Sequence, residues 1–276
     1  MTASPSKITI FDTTLRDGER MPGVRMTLYQ KVQIAELLEK MQIDVIEAGY
    51  PGAFRKDFDE LRMVSKRIKQ TAVCGLAGSK PDEVIDVALA LRSAARGRIH
   101  VYTPVQQQTI FNRSALLELI RQTLALTRNY SSDIEWSAFN ALNSEPEFLC
   151  CAVETAIEGG ATTINIPDTA GVAEPESFAG LIALLKRRVP NIDQATLSVH
   201  CHDERGLAVE NSLAAIQAGA RQIECSIKGL GARKGNADLG GILDAIAKHP
   251  DYYTNVKTDL LHQAAEQVTH IMSERI

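Results

Sequence analysis

Short runs of β-branched and apolar residues recur along the whole chain: Ile8 to Phe11, Val45 to Ala48, Ala72 to Leu76, Arg98 to Tyr102, Ile134 to Ser137, Thr163 to Ile166, Leu197 to His200 and Gln222 to Ile227. Each has the length of a strand. Between them the apolar positions change to the three-and-four spacing of an amphipathic helix, as at Ile34, Leu37, Leu38 and Met41 after the first run and Val209, Leu213 and Ile216 after the seventh. Pro81 and Pro175 stand where the first turn of a helix accepts proline, and Gly159 and Gly219 where a helix should end. Strand and helix alternating eight times over about 240 residues predict an α/β fold of the closed kind, a parallel (β/α)8 TIM barrel. A doubly wound open sheet would place a GxGxxG turn after an early strand, whereas DTTLRDGER follows the first run. The expected organisation is a barrel over residues 1–250, followed over 251–276 by a terminal helix from about Lys257, packed on the barrel or on a partner.

Composition narrows the picture. With 276 residues, 45% hydrophobic and 23% charged, the chain buries enough surface to fold without a structural metal or disulfide. No run approaches the length of a membrane span, and the start, MTASPSKITIFD, lacks the basic and apolar run of a secretory signal, so the expectation is a cytoplasmic protein with no membrane role. A net charge of −4 argues against a nucleic-acid partner and still allows a local basic pocket for an anionic metabolite. Cys74, Cys150, Cys151, Cys201 and Cys225 form no metal or disulfide framework and read as buried free thiols.

A barrel carries its chemistry at the C-terminal ends of its strands and in the loops beyond them. Asp12, Arg16, Asp17 and Glu19 follow the first run, Glu47 ends the second, Ser137 ends the fifth, and Asn165, Asp168 and Thr169 follow the sixth. His200 and His202 end the seventh, and GLGARKGNAD follows the eighth. Side chains two apart on a strand share a face, so the two imidazoles project together while Cys201 points away. The pair alone is compatible with ordinary polar residues at a strand end. Asp17, after the first strand and a near neighbour of theirs around a closed barrel, and Asn236, able to add a carbonyl oxygen, turn it into a mixed nitrogen and oxygen site for Mg, Mn, Zn, Co or Fe. Such a site would orient a bidentate 2-oxo acid and polarise its carbonyl. Arg16 would stabilise the oxygen that becomes an alkoxide, or else pair with an acidic neighbour; Thr169 and Asn165 would hold the carboxylate.

FDTTLRDGER, INIPDTAG, HCHDERGLAVENSLAAIQAGARQIE and GLGARKGNA, in this order, closely resemble signature segments of the DRE-TIM metallolyase superfamily, in its branch of 2-isopropylmalate, homocitrate and citramalate synthases. The resemblance implies a divalent metal held by Asp17, His200 and His202 with Asn236 near or on it, Arg16 as the catalytic residue polarising the carbonyl, and Glu47, Ser137, Asn165 and Thr169 as pocket residues. It also implies condensation of acetyl-CoA, as co-substrate, with a 2-oxo acid, then thioester hydrolysis to a 2-hydroxy dicarboxylate or tricarboxylate.

The departures bear on mechanism. Arg20 stands where the family carries a neutral glutamine facing substrate, and an added cation favours a substrate with a further anionic group. Phe139 replaces a glutamate two residues after the fifth-strand serine, Ala232 replaces an acid, Asp203 and Glu204 replace Asn and Asp, and Thr109 stands where a histidine is expected after the fourth strand. The chain stops soon after the barrel, where the family's synthases continue into lid subdomains; a homodimer or a partner chain supplying the lid is therefore expected. Two alternatives accompany the condensation reading: a metal-dependent lyase or aldolase cleaving a 2-hydroxy acid or acyl-CoA, and a non-catalytic or partner-dependent relative.

Overall fold

The computed structural model describes residues 4–106 and 112–273. Among them, eight parallel strands close into a barrel: β1 Thr9–Asp12, β2 Val45–Glu47, β3 Ala72–Ala77, β4 Gly97–Pro104, β5 Ile134–Phe139, β6 Thr163–Asp168, β7 Thr196–Cys201 and β8 Gln222–Cys225. β1 closes it, pairing Phe11 with Val45 of β2 on one side and Ile10 with Ile223 of β8 on the other. The outer ring consists of α1 Leu28–Lys40, α2 Lys56–Arg67, α3 Pro81–Leu91, α4 Arg113–Thr127, α5 Pro146–Gly159, α6 Pro175–Arg188, α7 Ala208–Gln217 and α8 Leu239–Ala247. Among the described residues, no helix is long and apolar enough to cross a membrane.

Local chemistry sets the helix ends. Thr27 and Gln30 form a reciprocal capping box at the start of α1, and Pro81, Pro146 and Pro175 open their helices. Gly159 is the last residue of α5, and Gly160 takes the left-handed conformation that terminates it.

Packing divides by strand face. Ile10, Ile46, Val73, Ile99, Trp136, Ile164, Val199 and Ile223 are buried in the main core, which the ring helices complete. The barrel interior is different: Phe11, Val45, Ala72 and Cys74 form a small separate apolar cluster, and most other inward positions are polar. Arg98 Nη1 donates to Gln222 Oε1 at 2.8 Å, joining β4 to β8, which are not neighbours, so the bond runs through the interior. Gln222 Nε2 in turn donates to Glu135 Oε1 and Ser198 Oγ. This lattice fills the lower barrel and leaves the C-terminal end for the site.

Several expectations are corrected. β5 runs on to Phe139 and β6 to Asp168, so Ser137 and Asn165 lie within strands and not at or after their ends; the polar inward face continues the ladder further than the apolar runs suggested. Asp12 is likewise the last residue of β1. Cys151 is exposed on α5, whereas the other four cysteines are buried as free thiols. Ser6–Lys7 and Tyr252–Tyr253 add a two-stranded parallel sheet that the apolar pattern did not announce. The terminal helix, α9 Leu261–Ser273, begins after a 3-10 turn at Thr258–Leu260 and packs on the barrel, burying Ala264, Val268 and Ile271 beside α1. Thr109 lies outside the described residues.

Gly75 shows how tightly helices and strands approach. A Cβ there would stand 2.6 Å from Leu61 Cδ2 of α2 and 2.8 Å from Val87 Cγ1 of α3. Gly75→Ala is therefore expected to destabilise the fold by about 1–3 kcal/mol through overpacking, read as a lower midpoint of urea unfolding with an unchanged slope.

Candidate active site

The turn after β1 supplies the carboxylate. The carbonyl of Thr13 accepts from the backbone N–H groups of Arg16, Asp17 and Gly18, a tight turn that carries Arg16 and Asp17 over the barrel mouth. His200 lies in β7 and His202 just beyond it; Cys201 between them is fully buried on the opposite side, near Ser212 of α7. The loop after β8 folds back so that Asn236 forms an isolated antiparallel bridge with His202. Gly231 makes this return fit, since a Cβ there would sit 2.5 Å from Asn236 Nδ2.

Asp17, His200 and His202 each offer a ligand atom within 4.8 Å of the others. Glu224 accepts from His200 Nδ1 at 2.5 Å, and the Gly235 carbonyl from His202 Nδ1 at 3.2 Å. With both Nδ1 atoms so engaged, the Nε2 atoms are the ligand positions. His200 Nε2 lies 2.9 Å from Asn236 Oδ1, while Asn236 Nδ2 donates to Asp17 Oδ2 at 3.0 Å. One carboxylate, two imidazoles and an amide make a donor set that fits a divalent ion of hard or borderline character. The charge states of Asp17 and His202 suit this. Burial opposes ionisation of Asp17, but Arg16, His200 and His202 outweigh it and hold its carboxyl below the usual range. Burial and the neighbouring His200 push His202 down to about 4, so its ring is neutral near pH 7. Burial lowers His200, but Glu224 and Asp17 together outweigh it and leave the ring above its usual range.

A cavity of about 320 Å³ opens beside this cluster, and Arg16, Asp17, Arg20, Ser137, Asn165, Thr169, His200 and His202 all line it. Two of the expected site residues lie behind the wall. Asn236 is packed between His200 and Asp17, and Glu47, expected to touch substrate, is fully buried. Glu47 Oε2 accepts from Arg16 Nε at 2.6 Å and Thr13 Oγ1 at 2.7 Å, and its Oε1 pairs with His100 Nδ1 at 2.9 Å. Burial disfavours its charge, but Arg16 and His100 more than compensate and bring its pKa down to about 2. Arg16 Nη1 also donates to Asp17 Oδ1 at 2.6 Å, so the guanidinium is ion-paired and still faces the chamber. The pairing with acidic neighbours is thus present, and the catalytic reading of Arg16 is taken up below.

Asp12 and Asp168 do not join the cluster. Asp12 accepts from the N–H and hydroxyl of Thr14, and Asp168 from the N–H groups of Val172 and Ala173, each bracing its own loop. Glu19 turns to Lys31 and Lys56 in a neighbouring cavity.

Sequence reasoning missed His100, Tyr102, Glu224, Tyr50 and Arg233, all on the chamber wall. A signal existed for three of them: Arg98, His100 and Tyr102, like Gln222 and Glu224, put polar groups at every second position of otherwise apolar strands. The substituted positions also become explicable. Ala232 acts through its backbone, whose N–H donates to Asp17 Oδ2 at 3.3 Å. Glu204 pairs with Arg233, and Arg233 Nη2 donates to the Thr169 carbonyl at 2.6 Å, tying together the loops after β6, β7 and β8. Phe139 leans on Tyr102, ring centroids 5.7 Å apart, and makes that wall apolar. Arg20 stacks over Phe54 at 4.9 Å, with its Nε 3.9 Å from Asp17 Oδ1.

The sequence profile of the HMGL-like family matches residues 7–268. The 2-isopropylmalate synthase of Afipia carboxidovorans is 44% identical to this chain and that of Methylorubrum populi 42%, each match taking in 97% of this chain and 53% of the relative. The chain spans about half the length of the curated relatives it matches. An HMG-CoA lyase of Bacillus subtilis superposes with a TM-score of 0.79 at 23% identity, over 100% of this chain and 97% of that one. An HMG-CoA lyase of Acinetobacter baumannii, solved with coenzyme A and 3-methylmalate, gives 0.80 at 19% identity over 99% and 93%. At these identities the likeness to the lyases is one of fold.

The ligand assignment has a direct test. His200→Ala should lower the metal bound per chain, measured by elemental analysis after loading with Mn or Zn, and unchanged stoichiometry would remove the assignment. Glu224→Gln keeps the ring ligand but weakens its orientation, so metal affinity should fall roughly 10–100-fold while the far-ultraviolet dichroism stays the same.

Proposed function

The chain belongs to the HMGL-like family, and from that premise we propose that it joins an acyl thioester, acetyl-CoA in the simplest case, to a 2-oxo acid in a metal-dependent Claisen-type condensation. The observation that carries this reading is the placement of Asp17, His200 and His202 on one chamber with Arg16 beside them. A divalent ion held by these three residues, with Asn236 at hand, would polarise the carbonyl of a bidentate 2-oxo acid.

The chain's own residues do the rest. Arg16, fixed by Glu47 and Asp17, keeps a cation against the carbonyl oxygen on which negative charge develops. Ser137, Asn165 and Thr169 line the part of the chamber that would receive the carboxylate and side chain of the oxo acid. The thioester loses a proton from its α-carbon, that carbon bonds to the carbonyl carbon, and the new alkoxide takes a proton. Water then breaks the C–S bond, releasing the thiol and a 2-hydroxy dicarboxylate or tricarboxylate. Among the described residues, the wall formed by Phe139 and Tyr102 carries no carboxylate for the first proton transfer.

Cleavage of a 2-hydroxy acid by the same groups is the second reading. In that direction the hydroxyl loses its proton, the carbon–carbon bond breaks and the released carbanion takes a proton, so a proton donor is needed at the carbon from which condensation removes one.

Purified protein with Mg or Mn, acetyl-CoA and a panel of 2-oxo acids should release free thiol in response to a particular oxo acid, and Arg16→Gln should reduce the rate roughly 10²–10³-fold. No response to any oxo acid, with carbonyl product formed from 2-hydroxy acids, would transfer the assignment to cleavage. No turnover in either direction by metal-loaded protein would make the chain a binding relative. Arg20→Gln should move the ranking towards less anionic oxo acids; an unaltered ranking would remove Arg20 from recognition.

A further inference from the structure

Beneath the chamber a single hydrogen-bonded chain links four strands, β6, β5, β4 and β2, to the turn after β1. Asn165 Nδ2 donates to Ser137 Oγ at 2.8 Å, Ser137 Oγ lies 2.7 Å from His100 Nε2, and His100 Nδ1 lies 2.9 Å from Glu47 Oε1. The other oxygen of Glu47 holds Arg16 and Thr13. The His100 ring is almost wholly buried and packs edge-on against Phe11, with centroids 6.0 Å apart.

We propose that His100 is a positioning residue that couples the polar chamber wall, Ser137 and Asn165, to the Arg16 guanidinium through Glu47. This rests on the role given to Arg16 above. The direction of the chain follows from its ends. An ionised carboxylate only accepts, so His100 Nδ1 carries a hydrogen whether the ring is neutral or charged; an amide nitrogen only donates, so Asn165 gives its hydrogen to Ser137. In the neutral ring, Nε2 accepts from the Ser137 hydroxyl, every hydrogen points towards Glu47, and Ser137 offers the chamber no donor. A charged ring donates from Nε2 and frees the Ser137 hydrogen for a bound ligand. The groups facing His100 are Glu47 on β2, Cys74 on β3, Glu135 and Ser137 on β5 and Glu224 on β8. Removing the Nδ1 donor leaves Glu47 with an unpaired buried oxygen and Arg16 with a movable anchor.

The test uses two amides of different reach. The nitrogen of Asn occupies the Nδ1 position of histidine and can still donate to Glu47, whereas that of Gln occupies the Nε2 position and cannot. His100→Gln should lower kcat roughly 10²-fold, with a smaller change in KM for the oxo acid, as expected when a catalytic group is displaced by about an ångström. His100→Asn should recover most of that loss. Equal losses in the two variants at equal melting temperatures would overturn the proposal. A second readout needs no turnover: [15N]histidine spectra of the full chain at pH 6 and pH 8, with His100 assigned from its variants, should show Nδ1 protonated at both. An unprotonated Nδ1 would overturn the coupling even in an active enzyme, while wild-type protein inactive on every oxo acid but showing a protonated Nδ1 would fail the condensation reading and leave the coupling standing.

Discussion

Glu47 is a carboxylate with no exposed surface at the centre of a closed barrel, and the arrangement of the site follows from satisfying it. Removing such a charge from water costs several kcal/mol, and the cost is offset only when ion pairing and hydrogen bonding are both close to complete. Here Arg16, Thr13 and His100 take its lone pairs, and its pKa of about 2 records that they more than outweigh burial. The same requirement fixes Arg16, because any movement of the guanidinium would strand a buried charge. A cation that is costly to displace is what an oxygen developing negative charge needs, since no reorganisation remains for the moment of reaction.

Around this pair the barrel interior is a lattice of polar groups and not a packed apolar core. Arg98, Glu135, Gln222 and Ser198 fill the lower half, and His100, Ser137 and Asn165 continue the lattice to the chamber wall. Burial together with the nearby Glu224 raises Glu135 to about 7. The lattice also orients the candidate metal ligands: Glu224 belongs to the interior and at the same time sets the His200 ring. Support for the site is therefore continuous with the fold, which is why the inward faces of β4 and β8 matter as much as the loops.

The substitutions sort by what each side chain touches. Ala232 is harmless to Asp17 because a backbone N–H makes the contact, and Glu204 with Arg233 ties the loops together by an ion pair of its own. Phe139 and Arg20 change the chamber itself, one by removing polarity from a wall and the other by adding a cation at the mouth. They are where the lining of this chamber departs most from that implied by its motifs.

Much of the fold was legible without coordinates. Eight apolar runs separated by helical periodicity specify a barrel because strand length, helix length and alternation leave few other ways to bury both faces of a parallel sheet. The barrel rule then placed Asp17, His200 and His202 together, and period two turned both histidines inward and Cys201 outward. What the sequence left undecided were contacts between residues far apart in the chain. Glu47 reads as a pocket residue until Arg16, 31 positions earlier, and His100, 53 positions later, are seen to occupy its oxygens. His100 reads as part of an ordinary strand until closure of the barrel brings Ser137 and Glu47 to its two nitrogens. Local pattern determines which face a side chain takes; only the closed structure determines what it meets there, because curvature, register and close approaches such as that at Gly231 belong to the whole chain.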